Sequence, residues 1–395
     1  MGQQNEFFWG DKWGVESSTA WFVSGKFNVL FSIDLTTNQF KAVAALPGGL
    51  NVFRQNSNCI KCENTIFCMP DKGECIWCYD LLTEEFQKIE IFNPTSLGIG
   101  IGDFWRNGEV VWAVSGGLKQ ILEIDIKKKK VVGYYSIPAQ EDEKIAKSAK
   151  DGNNLYITSA TRGRVFMFNI KKKEVKIQEL SGVKNGLRTI SVNGEKVWLS
   201  GYNREIYIWN QNKNEIKCLN NFPLSFGIYN FDRKEKPFLD CETTEYDVFT
   251  FLESIDTRDY IWFIPFQTNQ ILYVNKVTNE INIFEIGEEE DGKSIIDREM
   301  NCKYILQYVL DGRYIGLYSV KNSVVFEIDA HTMELKTRMP RLDIDDSTLI
   351  PRGWILKESI VAERALYEKL IKKNGEKVFE KEKIGTQIYN YMQQS

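Results

Sequence analysis

The stretch Trp21-Phe22-Val23-Ser24-Gly25-Lys26-Phe27-Asn28-Val29-Leu30-Phe31-Ser32-Ile33-Asp34 reads as two β-strands around a tight polar turn. Six further copies begin at Phe67, Trp112, Tyr156, Trp198, Trp262 and Gly316. They end at Asp80, Asp125, Asn169, Asn210, Asn275 and Asp329. Only the fifth copy differs in length, being one residue shorter.

Working outward, each copy is preceded by an apolar strand and followed by a polar turn and a fourth strand. The third repeat shows the order: strand a at Gly98 to Phe104, b at Val110 to Ser115, c at Gln120 to Asp125 and d at Val131 to Ile137. Asp151-Gly152, Asn193-Gly194 and Asp311-Gly312 fall at the a–b turns, where positive φ favours a tight hairpin. The Asp or Asn closing strand c is assigned to structure. Its short side chain can accept from backbone N–H groups two residues on and so set the turn into strand d.

Successive closing residues are 46, 45, 44, 41, 65 and 54 positions apart. A period in the forties with four strands per repeat marks a β-propeller. The reading is all-β with seven blades, or six if a terminal repeat is incomplete. The propeller spans residues 7–340, and 341–395 is an acidic loop followed by a short C-terminal helical tail. Ala362, Leu366 and Leu370 share one face of a helix over about 356–373, and a weaker helix covers 385–392. Residues before Phe7 are too few to donate a strand to another blade, and Met333 to Met339 complete the last one. The long intervals place insertions at Asn221–Asp247 and Glu285–Cys302, on the face shared by the b–c turns and d–a connectors.

Composition is that of an ordinary globular chain, 43% hydrophobic and 26% charged, with a formal charge of −4. That charge gives no reason to expect nucleic acid. No apolar run approaches a membrane span, and Met1 to Glu6 lacks the features of a secretory signal. A cytoplasmic location is expected.

The cysteines invite a zinc reading, since Cys59-x-x-Cys62 and Cys75-x-x-Cys78 are spaced like ribbon ligands. The blade alignment spreads them along different strands and opposite sheet faces, so reduced buried thiols are expected, with no metal and no cofactor. The single histidine, His331, falls in an outer c–d turn, which excludes a histidine metal cluster and leaves a triad badly placed. Lys127 to Lys130 and Lys171 to Lys173 read as solvated c–d turns.

The top face is chemically richer. Its b–c turns carry Asn28, Arg164, Arg204 and Asn269, and its inner strands begin with Arg54, Lys147, Arg188 and Glu253. Trp9 and Trp105 lie near these residues in the expected arrangement. Arginine with amides and tryptophan suits a polar or glycan-type ligand. These nine residues, Lys147 apart, form the candidate binding set, and no catalytic residue is named. Glu253 beside Arg188 is the one acid–base candidate.

The repeats resemble bacterial β-propellers of the YVTN/NHL and streptogramin-lyase-like kind. The likeness covers Phe7 to Met339 and rests on strand order and on elements such as Ile33-Asp34-Leu35-Thr36-Thr37 and Val274-Asn275-Lys276-Val277-Thr278. The lyases are thought to use channel histidines and magnesium, and no histidine here falls near the channel, so that activity is not implied. The expectation is a non-enzymatic interaction scaffold that binds a protein or glycan-type partner through its top face. The alternative is a channel-site enzyme or sugar-binding module working on a small polar substrate, with or without a divalent cation.

Overall fold

The computed structural model describes residues 12–24, 28–47, 56–92, 98–201, 204–223, 226, 250–265, 268–287, 304–319, 324–339 and 341–342. The expected tail helices and nearly all of both insertions lie outside these residues, as do Trp9 and Arg54.

The chain forms seven antiparallel sheets, one per repeat. Blade 1 holds β1 (Gly14–Glu16), β2 (Thr19–Ser24), β3 (Val29–Asp34) and β4 (Gln39–Ala45). Blade 2 holds β5 (Asn56–Cys62), β6 (Thr65–Pro70), β7 (Cys75–Asp80) and β8 (Phe86–Glu90). Blade 3 holds β9 (Ile101–Asn107), β10 (Val110–Ser115), β11 (Gln120–Asp125) and β12 (Lys130–Ser136). Blade 4 holds β13 (Ile145–Asp151), β14 (Asn154–Ser159), β15 (Arg164–Asn169) and β16 (Glu174–Glu179). Blade 5 holds β17 (Leu187–Asn193), β18 (Lys196–Gly201), β19 (Ile206–Asn210) and β20 (Glu215–Leu219). Blade 6 holds β21 (Phe251–Asp256), β22 (Tyr260–Pro265), β23 (Gln270–Asn275) and β24 (Ile281–Glu285). Blade 7 holds β25 (Tyr304–Leu310), β26 (Tyr314–Ser319), β27 (Val324–Asp329) and β28 (Glu334–Arg338). The protein is a seven-bladed β-propeller.

Blade 7 is complete in itself, as the repeats predict. The chain then crosses to blade 1, where β29 (Arg341–Leu342) runs parallel to β4 as a fifth strand, with Arg341 opposite Gln39 and Leu342 opposite Phe40. The loop expected from Arg341 therefore starts as sheet. On the inner side, Trp13 N donates to Gln307 O at 2.8 Å, tying blade 1 to blade 7.

The core is divided in the same way as the chain. Seven apolar clusters each fill one blade–blade interface. Strand alternation makes this possible, because each sheet presents one side-chain face to each neighbour. The aromatic that leads strand b anchors most interfaces: Trp112, Trp198 and Trp262 are all nearly inaccessible. Blade 7 has Gly316 there. A Cβ on Gly316 would lie 2.3 Å from the Tyr308 ring, so the aromatic comes from strand a instead.

Each c–d turn is built by its closing residue. Asp34 Oδ1 accepts from Thr36 and Thr37 N at 2.7 and 3.2 Å. Asn275 Oδ1 accepts from Val277 and Thr278 N at 2.9 and 3.0 Å, and Asp329 Oδ1 from His331 and Thr332 N at 2.9 and 3.2 Å. Four positions after each closing residue the backbone turns to positive φ: Asn38, Glu84, Lys129, Lys173, Asn214, Asn279 and Met333. The structural assignment of these acids and amides holds, and His331 lies in the outer turn as expected.

The blade 2 cysteines divide between two interfaces. Cys62 and Cys78 pack in the cluster shared with blade 3, whereas Cys59 and Cys68 pack in the cluster shared with blade 1. Burial pushes the Cys59 and Cys78 thiols up to about 12 and those of Cys62 and Cys75 up to about 11. All are free thiols.

Candidate functional site: the inner strands and the top face

The inner strands meet around the central axis. In blades 2 to 6 the pairing of strand a with strand b slips by a residue near its upper end, and in blade 7 it slips at mid-strand, between Leu306 and Tyr308. Such a bulge bends a strand and re-aims its side chains. Asn58, Asp103 and Glu253 stand opposite Met69, Val114 and Ile264, the fifth residue of strand b in each blade. They therefore share one layer.

In that layer, charged groups from different blades pair with each other. Lys12 forms an ion pair with Asp103, and its backbone N donates to Asn58 Oδ1 at 2.9 Å. Asn58 Nδ2 donates to Ile101 O at 3.0 Å. The second oxygen of Asp103 accepts from Ser148 N and Oγ at 2.7 and 2.9 Å. Lys147 of blade 4 forms an ion pair with Glu253 of blade 6, reaching past blade 5. Blades 5 and 6 are joined below by Ser191 Oγ donating to Ser254 Oγ at 3.0 Å.

Asp103 is the most enclosed acid of the set, 3% exposed. Burial alone would push its carboxyl up. The Lys12 and Lys147 ammonium groups, with the hydrogen bonds from Lys12 and Ser148, outweigh burial and hold it down at about 2. It is a carboxylate at neutral pH. A buried carboxylate held by two cations is poorly suited to proton transfer near pH 7.

The expected site residues separate into distinct roles. Glu253, expected beside Arg188, forms an ion pair with Lys147. Arg188 lies half-buried in β17. Arg164 lies 3.5 Å from the fully buried Glu143 and 3.2 Å from Glu179. Arg204 donates to the carbonyls of Phe222 and Pro223 and lies 5.2 Å from the Phe222 ring, fixing the connector after blade 5. Asn28, 2% exposed at φ 49°, accepts from Asn56 N at 3.4 Å. Asn269, 6% exposed, accepts from the Tyr304 hydroxyl at 3.2 Å. Both asparagines are built into turns rather than presented to solvent. Trp105 is not a top-face residue: it stands opposite Trp112 and packs into the interface of blades 3 and 4.

Lys12, Asn58, Asp103 and Ser148 were not among the expected site residues. Asp103 carries one readable signal, as a lone carboxylate in the otherwise apolar run Leu97 to Trp105. The lysine turns are largely neutralised locally: Lys127 pairs with Glu109, Lys128 with Asp125, Lys129 with Asp80 and Lys173 with Glu123. Among the described residues, no three His, Cys, Asp or Glu side chains come together to hold a metal ion. Also among them, no helix is long and apolar enough to cross a membrane.

No protein-family model matches the chain, and no curated protein matches it in sequence. Solved structures match it in shape. BamB from Moraxella catarrhalis superposes with a TM-score of 0.52 at 12% identity, covering 80% of this chain and 83% of BamB. A chain from the crystal structure of the mitotic checkpoint complex gives 0.50 at 9% identity, covering 84% of this chain and 88% of the other. At such identities the likeness is one of fold.

Proposed function

We propose that the protein is a non-enzymatic scaffold that binds a protein partner through its top face. The observation that carries this reading is the pairing of the inner layer. Lys12 with Asp103 and Lys147 with Glu253 direct the strongest charges of the channel at one another. A site for a small polar substrate would aim such groups at open space. Recognition then falls to loops on the rigid ring, such as the acidic connector at residues 141–143 and the turn that carries Arg162. The fold-level likeness to a chain of the mitotic checkpoint complex is compatible with this reading. A glycan-type ligand on the same face is the alternative occupant, and the free thiols Cys59 and Cys68, directly opposite each other, suit a reducing cytoplasm.

The test is native mass spectrometry of tagged protein cross-linked in its own host. Two charge reversals are compared: Arg162→Glu in a top turn and Lys171→Glu in a bottom turn. A stoichiometric partner protein lost with the first and kept with the second is expected. A bound small molecule with no partner protein would overturn the scaffold reading and return attention to Glu253.

A further inference from the structure

Blade 2 carries five of the eight cysteines, and one pair of them is placed for a covalent link. Cys59 of β5 and Cys68 of β6 stand directly opposite each other. Both are inaccessible to solvent, and both belong to the apolar cluster between blades 1 and 2.

Two features show that they form a non-hydrogen-bonded pair. First, β5 and β6 are joined by the two-residue turn Glu63-Asn64, with Glu63 at φ 53°. The closing pair of such a hairpin, Cys62 with Thr65, is hydrogen-bonded, and the pairs alternate from there. Ile60 with Phe67 is bonded, and Cys59 with Cys68 is not. Second, Cys59 N donates to Lys12 O at 3.1 Å, so it points away from β6. The Cα atoms of a non-bonded antiparallel pair lie about 4.5 Å apart. That is inside the span of about 4.4–6.8 Å that a disulfide bridges, at its short end.

The same register excludes the other thiols of the blade. Cys78 stands opposite Phe67 and Cys62 opposite Thr65, so β6 separates them by two strand spacings, about 9.5 Å. Cys75 lies two residues along β7 from Trp77, the partner of Cys68. That places it on the diagonal from Cys68, about 7–8 Å away and beyond bridging distance. Cys59 Sγ donates to Trp21 O at 2.9 Å, so the reduced thiol is held by blade 1.

We propose that Cys59 and Cys68 are a modification site, closing as a reversible cross-strand disulfide by exchange with a small disulfide such as glutathione disulfide. One cysteine thiolate attacks a sulfur of the small disulfide, forming a mixed disulfide and expelling a thiolate. The other cysteine thiolate attacks the protein sulfur of that mixed disulfide and expels the second. Two protein thiols are oxidised, one small disulfide is reduced to two thiols, and the two protons pass to the leaving thiolates. Burial raises both thiols, so the first attack waits on local opening of the blade 1–2 interface and exchange is slow. A bridge at the short end of the allowed span is strained and readily reduced, which suits a switch better than a permanent staple. Closing it withdraws the Cys59 sulfur from Trp21 O, so oxidation loosens the contact with β2. None of this depends on the reading of the top face.

The test incubates the folded full chain in glutathione buffers from mostly reduced to mostly oxidised, without denaturant. Alkylation and intact mass then read the thiols, and fragmentation of the peptides locates the bond. A loss of two hydrogens is expected in the native chain and in Cys62→Ala, and not in Cys59→Ala or Cys68→Ala. Dithiothreitol should reverse it without unfolding. Hydrogen exchange in β2 should be faster in the oxidised form, with β10 unchanged. A bridge between other cysteines, no bridge even in the most oxidised buffer, or a Cys59–Cys68 bridge that leaves exchange in β2 unchanged would overturn the proposal.

Discussion

Arg338, in the last strand of blade 7, donates to Asn38 Oδ1 of blade 1 at 3.0 Å, joining residues 300 positions apart in the chain. The same guanidinium holds Glu327 at 2.8 and 3.0 Å and also bonds to the carbonyl of Leu35. Tyr308 donates to Glu327 at 2.7 Å. One side chain thus neutralises a buried acid and links the last blade to the first.

Removing it exposes both roles. Glu327 is 7% exposed in its side chain, so Arg338→Ala leaves a nearly buried carboxylate without its cation. The loss should be about 3–5 kcal/mol, the usual cost of stranding one partner of a buried pair. Arg338→Ala with Glu327→Gln should recover part of it. Urea denaturation reads both, and a loss below about 1 kcal/mol would contradict the role given to this pair.

Asp103 should shape the acid limb of the stability curve. Its folded pKa, about 2, lies below the ordinary aspartate value of 3.8. A depressed acid contributes stability above its unfolded pKa, and the contribution fades as pH falls through the folded value. Melting temperature should therefore drop between pH 4 and pH 2 partly through Asp103. Asp103→Asn should be less stable at neutral pH and show a flatter fall across that window. Parallel curves for the two proteins would sink the assignment.

The turn asparagines and aspartates are interchangeable in principle, since blades 1, 2, 3 and 7 close on Asp and blades 4, 5 and 6 on Asn. Asn275→Asp should be nearly neutral. Asn275→Ala removes the acceptor for Val277 and Thr278 N and should cost about 1 kcal/mol, in line with other side-chain caps. Equal stability of the alanine variant would mean that positive φ at Asn279 sets the turn unaided.

Thiol labelling tests blade 2. Burial raises the thiols of Cys59, Cys62, Cys68, Cys75 and Cys78, which both hides them and suppresses the thiolate. In native protein, iodoacetamide should reach the exposed Cys218 well before these five, read by peptide mass spectrometry. A chelator should leave the melting temperature unchanged. A large drop with the chelator would restore a zinc site at Cys59, Cys62, Cys75 and Cys78.

Strand order was legible in the sequence because each repeat carries its own alternation and turn chemistry. In blade 3, strands b and c fall where their residues predict, at Val110–Ser115 and Gln120–Asp125. Strand a is expected from Gly98 but starts at Ile101. Gly98 and Gly100 take φ of 85° and 60°, and Gly100 N bonds to Asp71 O, so these residues belong to the connector. The inner layer was much less legible. Lys12 and Asp103 are 91 positions apart, and what brings them together is ring geometry together with a bulge that strand periodicity does not encode. Asn28 and Asn269 show the converse: polar side chains in turns can be consumed by bonds to the next blade, here to Asn56 and Tyr304.

The short parallel pairing of β29 with β4 gives the ring a mechanical polarity. Propagated tension from beyond Leu342 would fall first on a two-residue contact at Gln39 and Phe40, and only then on Arg338. Pulled from that end, the molecule should yield in two steps: a low-force release of the strap, then a higher-force rupture at the seam between its outermost blades. A partner that grips the chain beyond this point would therefore load the closure directly, while one seated on blades 3 or 4 would not.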